Sequence, residues 1–184
     1  MLTANKHLPA GRGLAPALRA RAATLSLDWD TRSKSRFDAH DSTGRHIAVF
    51  LPRGTVLRGG DVLVAEDGSF LRIEAAPQPV LQVRACAEHG TPTDLMRAAY
   101  HLGNRHVQLE VQADCLQFEP DPVLADMLRR MHLIVGEAQA AFEPEAGAYG
   151  EGHGHGHAHG HSHDGHHDHS HAHDHTHGHT GHGH

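Results

Sequence analysis

The chain has 184 residues and a formal net charge of −6, and 16 of its 23 histidines fall within residues 151–184. This last segment has no Leu, Ile, Val, Met, Phe, Trp or Tyr. It cannot bury enough apolar surface to offset the entropy of ordering, so we expect it to be disordered. All 16 Lys and Arg and 18 of the 22 acidic residues precede it. The resulting net charge of −2 argues against nucleic acid as the main partner.

The composition also argues against a membrane or secreted protein. No apolar run approaches the ~18 residues that cross a membrane, and the N-terminal apolar stretch is too short for a signal peptide. Cys86 and Cys115 lie 29 residues apart and form no Cys-x-x-Cys motif, which is typical of a reducing compartment. We therefore expect a cytoplasmic protein.

The first half of the chain predicts β structure. Residues 1–21 have Gly and Pro punctuation and little periodicity, so we expect a flexible lead. Over residues 22–77, short β-type runs alternate with Gly-, Pro- and Asp-containing turns. The first run places Leu25, Leu27 and Trp29 on one face. This pattern favours a small all-β N-terminal domain that ends at a proline-flanked hinge.

Residues 78–150 have a different hydrophobic periodicity, which predicts the order β-α-β-β-α-β. A strand over 80–86 precedes a helix that Thr91 and Pro92 begin and that Gly103 and Asn104 end. A strand over 106–111 and another around 116–118 follow. Asp121 and Pro122 begin a second helix, and an extended segment spans 133–142. The fold class is therefore α+β, with a ferredoxin-like domain after the β domain.

The tail of residues 151–184 is the strongest chemical signal, because its histidines recur mostly at every second residue. Neutral imidazole binds Zn, Cu, Fe and Ni ions, and a flexible chain of equivalent ligands has little selectivity beyond the preference for Cu(II). The alternatives are a purification tag, which would be an unbroken histidine run, and a solubilising tail. The candidate ligands are His153, His155, His157, His159, His161, His163, His166, His167, His169, His171, His173, His175, His177, His179, His182 and His184.

A second candidate lies in residues 100–106, with the sequence Tyr-His-Leu-Gly-Asn-Arg-His. His106 would begin a strand, where a lone histidine is more often structural than a ligand. His101 lies on the preceding helix and need not converge with His106. The spacing alone leaves both roles open. No catalytic motif accompanies these residues: Gly54 to Asp61 lacks the Lys and Ser/Thr of a phosphate loop, and the cysteines have no thiol-nucleophile signature.

Several motifs in order resemble the UreE family of urease accessory nickel chaperones. The heptad of residues 100–106 carries most of the resemblance, and about nine-tenths of the chain, from Thr24 onward, is covered. The other matching pieces are Ser35-Arg36, Leu51-Pro52-Arg53-Gly54, Leu57-Arg58-Gly59-Gly60-Asp61, Asp126-Met127-Leu128 and the stretch from Phe142 to Tyr149.

The resemblance implies a cytoplasmic homodimer, joined through the ferredoxin-like domain, that is not an enzyme. His106 of two subunits would hold one Ni(II), with Zn(II) or Cu(II) as competitors and His101 as the weaker candidate. The implied partners are the urease accessory GTPase and the apo-urease complex. Pro120, Asp121 and Pro122 replace the His-Asp-His of some members, so an auxiliary site there is not expected, and Asp121 is assigned as a helix cap. The alternatives are nickel or zinc storage without a delivery partner, and a metal-dependent hydrolase, for which the body histidines show no motif.

Overall fold

A computed structural model describes residues 1–146, which form two β-sheets and four α-helices. The short helices α1 (Pro16–Arg21) and α2 (Trp29–Arg32) accompany the first sheet, and α3 (Pro92–Gly103) and α4 (Pro122–Arg130) the second. The strands are β1 (Leu2–Leu8), β2 (Ala23–Leu27), β3 (Arg36–His40), β4 (His46–Phe50), β5 (Val62–Ala65), β6 (Phe70–Ala75), β7 (Gln78–Arg84), β8 (Glu110–Val111), β9 (Leu116–Phe118) and β10 (Ile134–Ala140).

The first sheet has six strands in the order β2-β6-β5-β1-β4-β3. Its alternating apolar side chains form one core, in which Leu25, Ile47, Leu63, Leu71 and Ile73 are fully buried. Period-two alternation places these residues on a common face of the sheet, as the sequence pattern predicts. We refer to this sheet and its short helices as the β unit.

Two details of the β unit correct the sequence prediction. Residues 1–21 are not a flexible lead, because β1 lies inside the sheet, parallel to β4 and antiparallel to β5, and Ala4 is fully buried. Backbone pairing on both edges holds this strand despite its weak apolar pattern. Trp29 is also not a strand residue: it begins α2, for which the Asp28 carboxylate accepts a hydrogen bond from the Thr31 N–H at 2.9 Å.

The second sheet has the order β10-β7-β9-β8, and all its neighbouring strands are antiparallel. Leu81 and Phe118 from the sheet share one apolar cluster with Leu102 of α3 and Leu128 of α4. Both helices therefore cover the same face of the sheet. None of the helices within residues 1–146 is long and apolar enough to cross a membrane.

Both long helices begin at the residues that the sequence predicts. The Asp94 carboxylate accepts hydrogen bonds from the Thr91 N–H at 2.8 Å and the Thr91 hydroxyl at 3.0 Å. The Asp121 carboxylate accepts from the N–H groups of Val123 and Leu124 at 2.8 and 3.0 Å. Asp121 therefore satisfies free donors at the start of α4, which is the cap role assigned to it above.

The turn between β3 and β4 depends on one buried carboxylate. Asp41 accepts hydrogen bonds from the Thr43 N–H and hydroxyl at 2.9 and 2.7 Å, and from Arg45 Nε at 2.7 Å. Burial would raise the pKa of Asp41, but the hydrogen bonds from Thr43 and Arg45 outweigh burial and hold the pKa well below its usual range.

We expect Asp41→Ala to lower the free energy of unfolding by about 2–3 kcal/mol at neutral pH, because charged hydrogen bonds are lost. A lowered native pKa gives stabilisation that is complete above the unfolded value of about 3.9 and disappears as the pH falls further. The difference between the two proteins should be constant from about pH 8 to 5 and should shrink below about pH 4. Urea unfolding at a series of pH values measures it, and a difference that already shrinks above pH 5 contradicts the assignment.

Candidate metal centre

His106 occupies a left-handed turn directly after α3, not the start of a strand. Its φ is +57°, and β8 begins four residues later at Glu110. The His106 N–H donates to the Gly103 carbonyl at 2.9 Å, and the Val107 N–H donates to the Leu102 carbonyl at 3.2 Å. This pair of bonds is the Schellman ending of a helix. The helix does end at Gly103, as the sequence predicts, but neither Gly103 nor Asn104 takes the left-handed conformation that such stop residues usually adopt, and His106 takes it instead.

The turn presents the His106 side chain to solvent. Few residues other than glycine adopt positive φ, because Cβ then approaches the backbone. Leu102 and Val107 flank the turn and both pack into the cluster beneath α3, which is the apolar contact that accompanies a Schellman motif. The imidazole is therefore exposed on a turn whose flanking residues pack into the core.

His132 repeats this geometry at the end of α4. Its φ is +62°, its N–H donates to Arg129 at 3.0 Å, and the Leu133 N–H donates to Leu128 at 3.2 Å. Sequence reasoning did not single out His132. His132 is a matched reference for His106, because the two histidines have the same backbone conformation, are both exposed and make the same helix-end hydrogen bonds.

An exposed apolar stripe on α3 leads towards His106. Met96 is 68% exposed and Tyr100 is 66% exposed. With Gly103 they occupy positions i, i+4 and i+7, which lie on one face of a helix. Nothing lies within 4 Å of the position that a Cβ on Gly103 would take, so another chain could approach closely there. His101 packs its ring edge against Tyr100, with the ring centroids 5.5 Å apart.

The described residues do not assemble a complete metal site within one chain. Among residues 1–146, no group of three His, Cys, Asp or Glu side chains could hold a metal ion. His7 is engaged by Asp61 at 2.7 Å, and His40 stacks on His46. The tail candidates from His153 to His184 lie outside the described residues. A complete metal site at His106 would therefore need ligands from the tail, a second chain or solvent.

Residues 142–145, which we call the strap, run from the end of β10 onto the β unit. The Glu143 carboxylate accepts from Arg32 Nη1 at 2.9 Å, the Gly59 N–H at 2.8 Å and Arg58 Nη1 at 3.3 Å. The Arg32 side chain has no exposed surface, and it also donates to the carbonyls of Leu27, Leu57 and Phe142. Sequence reasoning missed this buried arginine, because its acceptors come from distant segments.

Contacts of the Trp29 ring complete the attachment of the strap to the β unit. The Arg32 and Arg58 guanidinium carbons lie 5.3 and 4.9 Å from the centroid of the Trp29 ring. Phe142 is fully buried and meets Trp29 edge to face, with the centroids 6.2 Å apart. The strap is therefore fixed by charge, hydrogen bonds and apolar contact together.

Two of the N-terminal motifs meet in space. Ser35 and Arg36 belong to one motif and Arg53 to the other, and all three line a cavity of ≈410 Å³ together with Ser33 and Lys34. The lining contains three cationic side chains and no acidic one. The fold thus gathers motifs that are separate in the sequence into one basic surface of the β unit.

Cys86 lies beside a second cavity of ≈630 Å³, which His89 and His132 also line. Hydrogen bonds from the backbone N–H groups of Glu88 and His89, and then from the His89 side chain, lower the pKa of Cys86 to about 7. The Cys86 Sγ lies 4.0 Å from His89 Nδ1. Burial raises the pKa of Cys115, which has no exposed surface.

We expect iodoacetamide to alkylate Cys86 with a rate that rises through a midpoint near pH 7, because the thiolate is the nucleophile. Cys115 should stay unmodified while the chain is folded. Mass spectrometry after alkylation at a series of pH values measures both sites, with Cys86→Ser as the control. A midpoint above pH 8 for Cys86, or equal labelling of the two cysteines, contradicts this interpretation.

Comparison with known proteins gives a consistent family match. Residues 4–76 match the family described as UreE urease accessory protein, N-terminal domain, and residues 78–184 match the C-terminal domain of the same protein. Similar relatives named "Urease accessory protein UreE" occur in Methylibium petroleiphilum, Paracidovorax citrulli and Verminephrobacter eiseniae. They are 74%, 70% and 63% identical, over 82%, 83% and 83% of this chain and 70%, 72% and 90% of theirs.

Proposed function

The chain belongs to the UreE family of urease accessory proteins, and we propose on that premise that it is a nickel metallochaperone for urease. The family has accessory proteins, not enzymes, so its role is in the maturation of urease. Within that role, we propose that this chain binds Ni(II) in the cytoplasm as its cargo and donates it during assembly of the urease metal centre.

His106 is the observation that carries the proposal. It is exposed, it lies in a left-handed helix-end turn, and residues 1–146 of one chain hold no group of three ligand side chains that would complete a metal site. A site that needs two chains accounts for all three properties. In a homodimer the two copies of His106 would face each other across the axis, since a two-fold interface brings identical patches together.

The stripe on α3 supports the dimer through the unit of residues 78–150. Met96 and Tyr100 are large, exposed and apolar, and such side chains mark an interaction surface when they cluster. Gly103 leaves room at the end of the stripe nearest His106. We further propose that this unit has the ferredoxin-like fold, which its strand order and antiparallel pairing support. We also propose that the β unit, with β1 inside its sheet, is a partner-binding domain.

The tail of residues 151–184 would collect nickel and supply further ligands. The Glu145 N–H donates to the Leu109 carbonyl at 2.8 Å, so the strap ends beside the segment that follows His106. His153 is eight residues further along the chain, which allows a span of up to about 28 Å. Exchange between partly filled imidazole shells would move Ni(II) to the two-subunit site without releasing it.

Delivery requires protein partners, because imidazole ligands alone do not select nickel over Zn(II) or Cu(II). We propose that the urease accessory GTPase and the apo-urease accessory complex receive the ion. Specificity then comes from docking and from the metal that the cell makes available, and not from the tail.

Urease activation in cells tests this function. Deletion of the gene should lower urease activity at limiting nickel, and the full chain should restore it. A chain that ends at Gly150 should restore activity only when nickel is added, because it keeps the transfer site and loses the collecting tail. The accessory GTPase should also be retained by the immobilised full chain. Unchanged urease activity together with lowered nickel tolerance would instead indicate storage without delivery.

A further inference from the structure

We propose that Glu143 is a positioning residue for His106, acting through the strap of residues 142–145. The inference rests on the proposed function, because it assumes that His106 binds nickel. The strap joins the β unit to the segment that follows His106, and it does so through hydrogen bonds on both sides.

On the side of the β unit, the carboxylate of Glu143 is held by Arg32, Arg58 and the Gly59 N–H. Arg58 Nη1 also donates to the Pro144 carbonyl at 2.7 Å. Gly59 is suited to this contact, because a Cβ at this position would lie 3.1 Å from Glu143 Oε1. The Glu143 side chain is thus fixed by three donors from the β unit.

On the other side, the backbone of the strap holds the residues just before and within β8. The Glu143 N–H donates to Glu110 Oε2 at 2.7 Å, and the Glu145 N–H donates to the Leu109 carbonyl. These bonds matter because β8 has only two residues and pairs with β9 alone. The strap adds one hydrogen bond to the Glu110 side chain of this short strand and one to the backbone of Leu109 just before it.

His106 therefore lies on a segment that is fixed at both ends. The Schellman bonds of Gly103 and Leu102 hold it on the helix side, and the strap holds Leu109 and Glu110 on the strand side. Only three residues separate His106 from Glu110, so movement of the strand end changes the direction in which the imidazole points. A site shared by two chains depends on that direction in both of them.

The test compares the effect of His106→Gly in two full-length backgrounds, the natural chain and Glu143→Ala. In each background, calorimetric titration gives the nickel affinity of the tightest site with and without His106→Gly. The factor by which the substitution lowers this affinity is the contribution of His106. We expect Glu143→Ala to reduce this contribution by about threefold to thirtyfold, the range for residues that act at a distance. Hydrogen exchange should also become faster at the amides of Glu145 and residues 107–111.

Three further variants separate positioning from general stability. Glu143→Gln should retain most of the contribution, because its amide oxygen still accepts from Arg32 and Gly59, whereas Gly59→Ala should reduce it slightly by displacing the carboxylate. Asp41→Ala destabilises the β unit away from the strap and should leave the contribution unchanged.

If His106→Gly has equal effects in the natural and Glu143→Ala backgrounds, the positioning role is overturned, as it is if Asp41→Ala reduces the contribution as much. If His106→Gly has no effect even in the natural chain, the proposed function fails instead.

Discussion

Replacing His106 with glycine should stabilise the fold by about 0.5–1 kcal/mol and remove the tight nickel site. The stabilisation follows because a left-handed conformation costs about 1–2 kcal/mol for a residue with a Cβ, a cost that the entropy of unfolded glycine partly offsets. The nickel affinity of the proposed two-subunit site should fall by more than about 100-fold, because the loss of a group that only orients a metal ligand already lowers metal affinity by about 10–100-fold. Urea unfolding and nickel titration of a chain that ends at Gly150 measure the two effects.

His132→Gly is the matched control for this prediction. His132 has nearly the same φ and the same pattern of helix-end hydrogen bonds, so the gain in stability should be equal. Nickel affinity should not change, since His132 follows α4 and not the stripe on α3. Equal losses of affinity in the two variants would show that the helix-end conformation, rather than the His106 imidazole, governs binding.

His106→Gly should raise stability and lower nickel affinity. These opposite effects are the reason why a histidine at this position indicates a function other than folding. Residues that serve only the fold tend to relieve backbone strain, and glycine would do so here. A strained conformation that presents an exposed side chain is typical of a functional site.

The long helices were predictable because their signals are local. Thr91 with Pro92, and Asp121 with Pro122, place cap and first-turn residues next to each other, and both helices begin there. The position of the left-handed residue after α3 was not predictable in this way. Gly103 and Asn104 have the residue types of a left-handed stop, but the helix continues through Gly103, and the left-handed residue comes only at His106. The packing of Leu102 and Val107 into one cluster favours that position.

Tertiary pairing accounts for the other differences from the sequence prediction. Strand β1 has a weak pattern of its own and is fixed by β4 and β5, which lie some 40 to 60 residues further along the chain. The candidate site shows the same contrast between local sequence signals and contacts that join distant segments. The resemblance of motifs singled out His106 and the strap residues. It did not single out Arg32, because the hydrogen-bond acceptors of this buried arginine lie up to 111 residues away in the sequence. No local pattern distinguishes such an arginine from an exposed one.

Of the substitutions proposed here, Arg32→Met should lower the free energy of unfolding the most, by about 3–5 kcal/mol. Removing one partner of a buried ionic network is costly because the groups that it paired with lose a donor. Here the carbonyls of Leu57 and Phe142 lose the Arg32 donor, and the Glu143 carboxylate keeps only Arg58 and the Gly59 N–H. Because domains are stable by only about 5–15 kcal/mol, this loss is a large fraction of the total. Trp29, the only tryptophan of the chain, lies against Arg32, so its fluorescence during urea unfolding reports the change.

Two comparisons make this prediction specific to the geometry of the guanidinium. Arg32→Lys retains the charge but cannot reach four separate acceptors, so it should recover less than half of the lost stability. Arg129→Met removes an exposed arginine that pairs with Asp126 at 3.0 Å, and it should change stability by less than about 1 kcal/mol. Full recovery by lysine would mean that charge alone matters. The strap would then be held mainly by the ion pair between residue 32 and Glu143, and the separate hydrogen bonds of the guanidinium to the carbonyls of Leu57 and Phe142 would contribute little to joining the β unit to the segment that carries His106.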